Sequence, residues 1–69
     1  MTKYIEYKNN QITEQFETIE SMKNSVIGWL EVYEDIDYTS YQEEMNTVKN
    51  TNDIEVINEI MEEFGYNYK

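Results

Sequence analysis

The start of the chain has strand-favouring residues before two consecutive asparagines and apolar residues after them, a pattern that predicts two paired β-strands. Residues 3–8 are rich in tyrosine and isoleucine, which favour strands. Asn9 and Asn10 follow, and asparagine tolerates the positive φ that a tight hairpin turn requires. Residues 11–17 then form the return strand of an N-terminal antiparallel hairpin.

The register of this hairpin decides which side chains face the core. A two-residue turn places Tyr7 opposite Ile12 and Lys3 opposite Phe16. We therefore expect one half-buried face, formed by Ile5, Tyr7, Ile12 and Phe16.

A long amphipathic helix is predicted next. Thr18 is a suitable N-cap, and apolar residues then recur at helical spacing: Ile19, Met22, Val26, Trp29, Leu30 and Tyr33. We expect this helix to fray over residues 35–38. Gly28 lies on its polar side, where glycine costs up to ~1 kcal/mol relative to alanine. Simple tolerance explains it most directly, and close approach of a partner is the alternative.

Two shorter helices follow. The sequence from Ser40 to Glu43 matches the capping box that starts a helix, and Tyr41, Met45 and Val48 form the apolar stripe behind it.

The third helix is capped by Asn52 or Asp53 and runs to about Phe64. Its apolar face comprises Ile54, Ile57, Ile60, Met61 and Phe64. Gly65 is placed for a left-handed helix end, and residues 66–68 are a candidate third strand. The predicted fold is α+β: one small domain, residues 1–69, in which the hairpin packs on two or three helices.

Composition removes several classes of function. The 69 residues contain no cysteine, no histidine and no arginine. This excludes disulfides and zinc sites with Cys or His ligands, and it removes the commonest general base and the thiol nucleophile. We therefore expect a protein that is not an enzyme and that uses no cofactor.

Hydropathy and net charge predict the cellular compartment of the protein and disfavour two classes of partner. Lys3, Glu6 and Lys8 interrupt any apolar leader at the N-terminus, and no apolar run reaches the length of a membrane span. We expect a cytoplasmic protein of a bacterial host cell. A net charge of −10 with only five lysines disfavours direct binding to nucleic acid or to anionic membranes.

The negative charge is concentrated in residues 31–63. This stretch holds eleven carboxylates and one cation, Lys49, so it alone carries a net charge of −10, equal to that of the whole chain. On the third helix, Glu55, Glu59 and Glu62 repeat at i, i+4 and i+7, and a four-residue step advances ~6 Å. That spacing is comparable to the distance between successive phosphates. Such an uncompensated array predicts a basic partner, and the alternative is that acidity serves only solubility.

A partial calcium motif lies between the first two helices. Asp35, Asp37 and Thr39 match the first, third and fifth positions of an EF-hand loop. Ser40 replaces the required glycine, and Asn46 replaces the bidentate glutamate that closes the site. The pattern favours a polar loop between helices over a metal site.

Seven tyrosines are many for 69 residues. Tyr38, Tyr66 and Tyr68 are difficult to place in the predicted core, and tyrosine is favoured at interfaces. The alternative is that Tyr66 and Tyr68 belong to a strand packed on the helices. The candidate partner-binding set is Glu31, Glu34, Asp35, Asp37, Tyr38, Glu43, Glu44, Glu55, Glu59, Glu62, Glu63, Tyr66 and Tyr68.

In size and in its acidic array over residues 31–63, the chain resembles small acidic proteins of phages and mobile elements that inhibit host defence enzymes. Anti-CRISPR proteins, anti-restriction proteins and uracil-DNA glycosylase inhibitors include such DNA mimics. The lysine- and asparagine-rich, arginine-free composition resembles that of low-GC Gram-positive bacteria and their phages.

The resemblance implies an inhibitor that occupies the basic groove of a larger nucleic-acid-binding protein, such as a CRISPR effector or another defence nuclease. The alternative is a small interaction or accessory module that docks through its apolar or hairpin surface. A homodimer is compatible with both.

Overall fold

The computed structural model describes residues 3–69, which form an antiparallel three-stranded sheet and three helices. The elements are β1 (Tyr4–Lys8), β2 (Gln11–Phe16), α1 (Ile19–Asp37), α2 (Gln42–Asn50), α3 (Ile54–Glu62) and β3 (Tyr66–Tyr68). The strand order is β2-β1-β3. The predicted α+β fold is confirmed, including the short C-terminal strand. No helix within residues 3–69 combines the length and the apolar character needed to cross a membrane.

The predicted turn and cap residues occupy the expected conformations. Asn9 and Asn10 adopt φ values of 53° and 64° in the hairpin turn. The Thr18 side chain caps α1, and the Asp53 side chain caps α3. Gly65 has a φ of 87°, a region open to glycine at little cost, and it links α3 to β3.

The start of α2 differs from the predicted capping box. The N-cap residue is Tyr41, and no side chain caps it in the usual way. Ser40 Oγ lies 3.5 Å from the Gln42 backbone nitrogen, at the far limit of a hydrogen bond. Instead, the Tyr41 backbone N–H donates to the Glu34 carboxylate at 2.7 Å. The capping-box prediction is therefore wrong: the helix begins one residue later, and an acid of α1 accepts from the N-cap N–H, the role that the box gives to the local glutamate.

A β-bulge interrupts the hairpin. Tyr7 pairs with Ile12 as predicted, but the next pair is Glu6 with Glu14. Thr13 is therefore an extra residue on β2, and every pairing beyond it is displaced by one position.

The bulge also overturns the predicted inward face of the hairpin. Phe16 pairs with Tyr4 and not with Lys3, so Phe16 shares a face with alternate residues of β1, including the buried Glu6. Three members of the predicted face therefore lie on the opposite, outward side of the sheet: Ile5, Tyr7 and Ile12. Ile12 is 53% exposed.

The core lies between the inward face of the sheet and the helices. The predicted stripe on α1 is confirmed, with Met22, Val26 and Leu30 fully buried. The other buried apolar residues are Phe16, Met45, Val48, Ile57, Met61, Tyr66 and Tyr68.

Glu6 is buried within this core and is only 2% exposed. Its Oε1 accepts a hydrogen bond from Thr13 Oγ1 at 2.8 Å. Its Oε2 accepts from Trp29 Nε1 at 3.2 Å and from the Tyr68 hydroxyl at 2.8 Å. A buried carboxylate is costly unless hydrogen bonds replace its water. Here three neutral donors, one each from β2, α1 and β3, supply them.

Gly28 lies exposed on α1 without a packing role in the fold. A Cβ at this position would meet no atom within 4 Å. Glycine in a helix interior costs ~1 kcal/mol relative to alanine, so the helix carries this cost without an internal reason for it.

The role of Glu6 can be tested by substitution. Glu6→Ala removes the acceptor of Trp29 Nε1 and of the Tyr68 hydroxyl, whereas the exposed Thr13 Oγ1 still has the Glu6 carbonyl oxygen at 3.3 Å. Each unsatisfied buried donor costs about 1–3 kcal/mol. We expect Glu6→Ala to lower the free energy of unfolding by about 3 kcal/mol or more, and Glu6→Gln, which keeps one acceptor oxygen, to lower it by less. Urea denaturation measures both.

Glu14→Ala is the matched control, because Glu14 is exposed and pairs directly with Glu6. Its expected effect is within about 0.5 kcal/mol. Equal losses at the two positions would contradict the role assigned to Glu6.

Candidate functional site

The outer side of α3 carries the acidic stripe, defined here as Glu55, Glu59 and Glu62. All three side chains are exposed, because the opposite side of the helix buries Ile57 and Met61. The predicted helical placement of the stripe is confirmed. Successive carboxylates therefore stand about one helical turn apart.

Among the described residues, no ion pair neutralises the acids of residues 31–63. Within residues 3–69, an ion pair joins Lys23 to Glu20 at 3.9 Å, and none involves a carboxylate of residues 31–63. Lys49, the lysine within this stretch, is exposed. Solvated surfaces usually mix both signs of charge, so this surface has an unusually uniform negative field.

Tyr41, at the start of α2, donates hydrogen bonds to two carboxylates of α1. Its backbone N–H donates to Glu34 Oε2 at 2.7 Å, and its hydroxyl donates to Asp37 Oδ2 at 2.7 Å. The ring of Phe64 packs edge-on against the Tyr41 ring, with centroids 5.2 Å apart. Tyr41 therefore joins the end of α1 to the end of α3.

Electrostatics at Tyr41 show that acids of all three helices meet there. The hydrogen bond to Asp37 raises the pKa of Tyr41 to about 12, together with burial and the negative charges of Asp37, Glu63 and Glu44. We define Glu34, Asp37, Glu44 and Glu63 as the Tyr41 acidic cluster. All four belong to the predicted partner-binding set, and the structure brings them together.

The cluster does not have the geometry of a metal centre. Among the residues that the structure describes, no group of three acidic side chains is placed to hold a metal ion. Asp35 and Asp37, which began the partial EF-hand match, lie in the last turn of α1. The loop predicted over residues 35–39 is wrong in this part, because the helix extends through Asp37.

Tyr38 ends α1 in a left-handed conformation, with φ 52° and ψ 43°. Its backbone N–H donates to the Glu34 carbonyl oxygen. The ring is 95% exposed, so the predicted exposure of Tyr38 is confirmed. It stands beside Asp37 at the edge of the Tyr41 acidic cluster.

The two C-terminal tyrosines do not belong to this surface. Tyr66 and Tyr68 are 5% and 1% exposed. The prediction that they are difficult to bury is wrong, because β3 pairs with β1 and turns both rings into the core. The alternative, a strand packed on the helices, is confirmed, and neither ring is available to a partner in this fold.

The remaining predicted acids lie at the surface. Glu31 and Asp35 of α1 and Glu43 of α2 are exposed. These three acids extend the negatively charged surface. Among the described residues, none of them forms a hydrogen bond with the Tyr41 acidic cluster.

Two apolar residues of this surface were absent from the predicted site. Val32 and Ile36 of α1 are 45% and 61% exposed. Their spacing of i, i+4 on the polar side of the helix is visible in the sequence. This spacing in the sequence could have predicted that Val32 and Ile36 are exposed.

Comparison of the chain with protein-family models, with curated proteins and with solved structures finds no match. Function is therefore inferred from the surface itself.

Alkaline titration tests the tyrosine environments. Burial raises the pKa of Tyr66 and of Tyr68, and hydrogen bonds to Tyr33 and Glu6 add to these shifts. The pKa of Tyr41 is raised to about 12. The unfolded chain ionises near the ordinary tyrosine pKa of ~10, so stability is intact below that pH and falls as pH rises above it.

We expect a component equal to three of the seven tyrosines to ionise above pH ~10 when absorbance at 295 nm is followed. Circular dichroism follows the fold in parallel. Tyr41→Phe should remove one residue from this late component. A single transition of all seven at the ordinary value, with the fold intact, would contradict these environments.

Proposed function

We propose that this chain is a non-enzymatic inhibitor that occupies the basic nucleic-acid-binding groove of a larger protein. The target we propose is a nuclease of a bacterial defence system, such as a CRISPR effector. The carboxylates of the helices take the place of phosphates against lysines and arginines of that groove. The resemblance to small acidic anti-defence proteins points to the same target class.

The observation that carries the proposal is that the acids of residues 31–63 form no ion pair with a lysine of residues 3–69. The acidic stripe is exposed and forms no ion pair within residues 3–69. Like charges at i, i+4 destabilise a helix by a few tenths of a kcal/mol each. A cationic partner attracts the same carboxylates that repel one another in the free helix. Binding therefore supplies the charge compensation that the free helix lacks.

The Tyr41 acidic cluster adds to this support. It places four carboxylates from α1, α2 and the end of α3 around Tyr41: Glu34 at its backbone N–H, and Asp37, Glu44 and Glu63 near its hydroxyl. Glu34 and Asp37 are held by hydrogen bonds to Tyr41, which reduces their freedom before a partner arrives. Pre-organised charges lose less conformational entropy on binding.

The second candidate is a small accessory module that docks through an apolar surface, with acidity serving only solubility. Exposed Ile12 on the sheet and Ile36 on α1 favour it. Salt separates the two functions. Binding through carboxylates weakens steeply as ionic strength rises, whereas apolar docking does not.

The proposal is tested by paired variants that lose the same charge. In one, Gln replaces Glu55, Glu59 and Glu62; in the other, Gln replaces Glu14, Glu17 and Glu20, which lie outside the acidic array. Each variant and the wild type are immobilised and exposed to a lysate of a low-GC Gram-positive bacterium. We expect the wild type to retain a nucleic-acid-binding protein that elutes with salt and is displaced by added DNA or RNA.

The α3 variant should bind this protein about tenfold or more weakly, since three surface charge contacts are lost. The control variant should bind it like the wild type. Circular dichroism checks that both remain folded. Equal retention by the two variants, or retention that ignores salt and nucleic acid, would refute the mimicry of phosphates.

A further inference from the structure

We infer that the open face of α1, formed by Ser25, Gly28, Val32 and Ile36, docks a cationic amphipathic helix of a partner protein. This deepens the proposed function and rests on it, since the helix would belong to the same basic target. It assigns a specific apolar contact to a surface otherwise described by charge alone.

The four residues form a continuous strip along the helix. Their spacing of i, i+3, i+7 and i+11 keeps them on one side over three turns, about 16 Å. Val32 and Ile36 are 45% and 61% exposed, while the buried residues of α1 occupy the other side. A strip of this length and straightness matches one side of a second helix, whose side chains pack between those of α1.

Gly28 gives the strip a place for close approach. It is exposed, and no part of the fold lies within 4 Å of where its Cβ would be. Helix stability therefore disfavours glycine here, and folding does not require it. A helix packed across this position explains it, because two backbones approach closely where one side chain is missing.

Charge identifies the chemistry of the occupant. Glu31 and Asp35 are exposed and border the strip along one side, at i+3 from Gly28 and Val32. Neither forms an ion pair with any described residue. An apolar strip bordered by unpaired carboxylates complements a helix with apolar residues on one side and lysines or arginines beside them.

A second copy of this chain fits the strip poorly. Two copies would bring together surfaces on which Glu31 and Asp35 form no ion pair with a described residue, and like charges across an interface oppose binding. The net charge of −10 on each copy adds to this repulsion.

The strip also continues into the surface already described. Beyond Ile36, the chain reaches Asp37 of the Tyr41 acidic cluster and the ring of Tyr38, which is 95% exposed. A helix lying along α1 would therefore meet apolar contacts first and carboxylates at its end.

Two synthetic peptides test the inference with the intact protein. The first is an amphipathic helix of about 18 lysine and leucine residues, or five turns. The second keeps the lysines and replaces leucine by serine. Fluorescence anisotropy measures affinity at low and high salt, and amide chemical shifts locate the bound peptide.

We expect the lysine–leucine peptide to bind at least about tenfold more tightly than the lysine–serine peptide and to shift the amides of the strip. Ile36→Ser should lose most of this difference. Ile12→Ser is the matched control, because Ile12 is similarly exposed, at 53%, on the sheet. Its affinity should equal that of the wild type.

Gly28→Leu separates docking from folding. The new side chain points into open space and improves helix propensity. We expect a higher Tm together with affinity for the lysine–leucine peptide weakened about tenfold or more.

The possible outcomes are distinct. Equal affinity of the two peptides, shifts centred on the acidic stripe, or equal effects of Ile36→Ser and Ile12→Ser would overturn the docking strip and leave the proposed function standing. Failure of both peptides to bind at low salt would overturn the strip and the electrostatic basis of the proposed function together. Self-association of the wild type that Gly28→Leu abolishes would assign the strip to a second copy and overturn the cationic occupant.

Discussion

A carboxylate satisfied only by neutral donors lies at the centre of this fold. Glu6 accepts hydrogen bonds from Thr13, Trp29 and Tyr68, which belong to three different elements. Water cannot replace these donors in the core, so the elements must meet at one place. The bulge in β2 is part of this arrangement, because the extra residue is the one that supplies the Thr13 hydroxyl. The same requirement holds β3 against β1 and turns Tyr68 inward.

The surface is negative because 15 acids face only five lysines, and two of these lysines are held inside the fold. Lys23 is buried and donates to the Lys49 carbonyl oxygen at 3.0 Å and to Asn52 Oδ1 at 3.3 Å. Lys8 lies 4.3 Å above the centre of the Tyr66 ring and donates to the Phe64 carbonyl oxygen. Two of the five lysines, Lys8 and Lys23, therefore bind backbone carbonyl groups of other segments, and Lys8 also packs on the Tyr66 ring. The acidic stripe on α3 stays exposed and forms no ion pair within residues 3–69.

The helices, their apolar faces and the turn residues follow local rules, and for this reason the sequence predicts them. Thr18, Asp53 and Gly65 act through their own backbone neighbours, so their positions suffice. The bulge at Thr13 depends on a distant acceptor, and no local pattern reveals it. The same holds for Glu34, which accepts the Tyr41 N–H at the start of α2 in place of the expected local capping box. The acidic array was predictable from the charge of the sequence. That four of its carboxylates meet at Tyr41 depends on how α1 and α3 pack, which the sequence does not show.

We propose that this molecule and nucleic acid compete for one basic site. The decisive experiment takes the captured partner with a fluorescent DNA or RNA bound and follows anisotropy as the purified protein is added. We expect the protein to displace the nucleic acid completely and both to lose affinity together as salt rises. A stable ternary complex, with nucleic acid still bound at saturating protein, would contradict it.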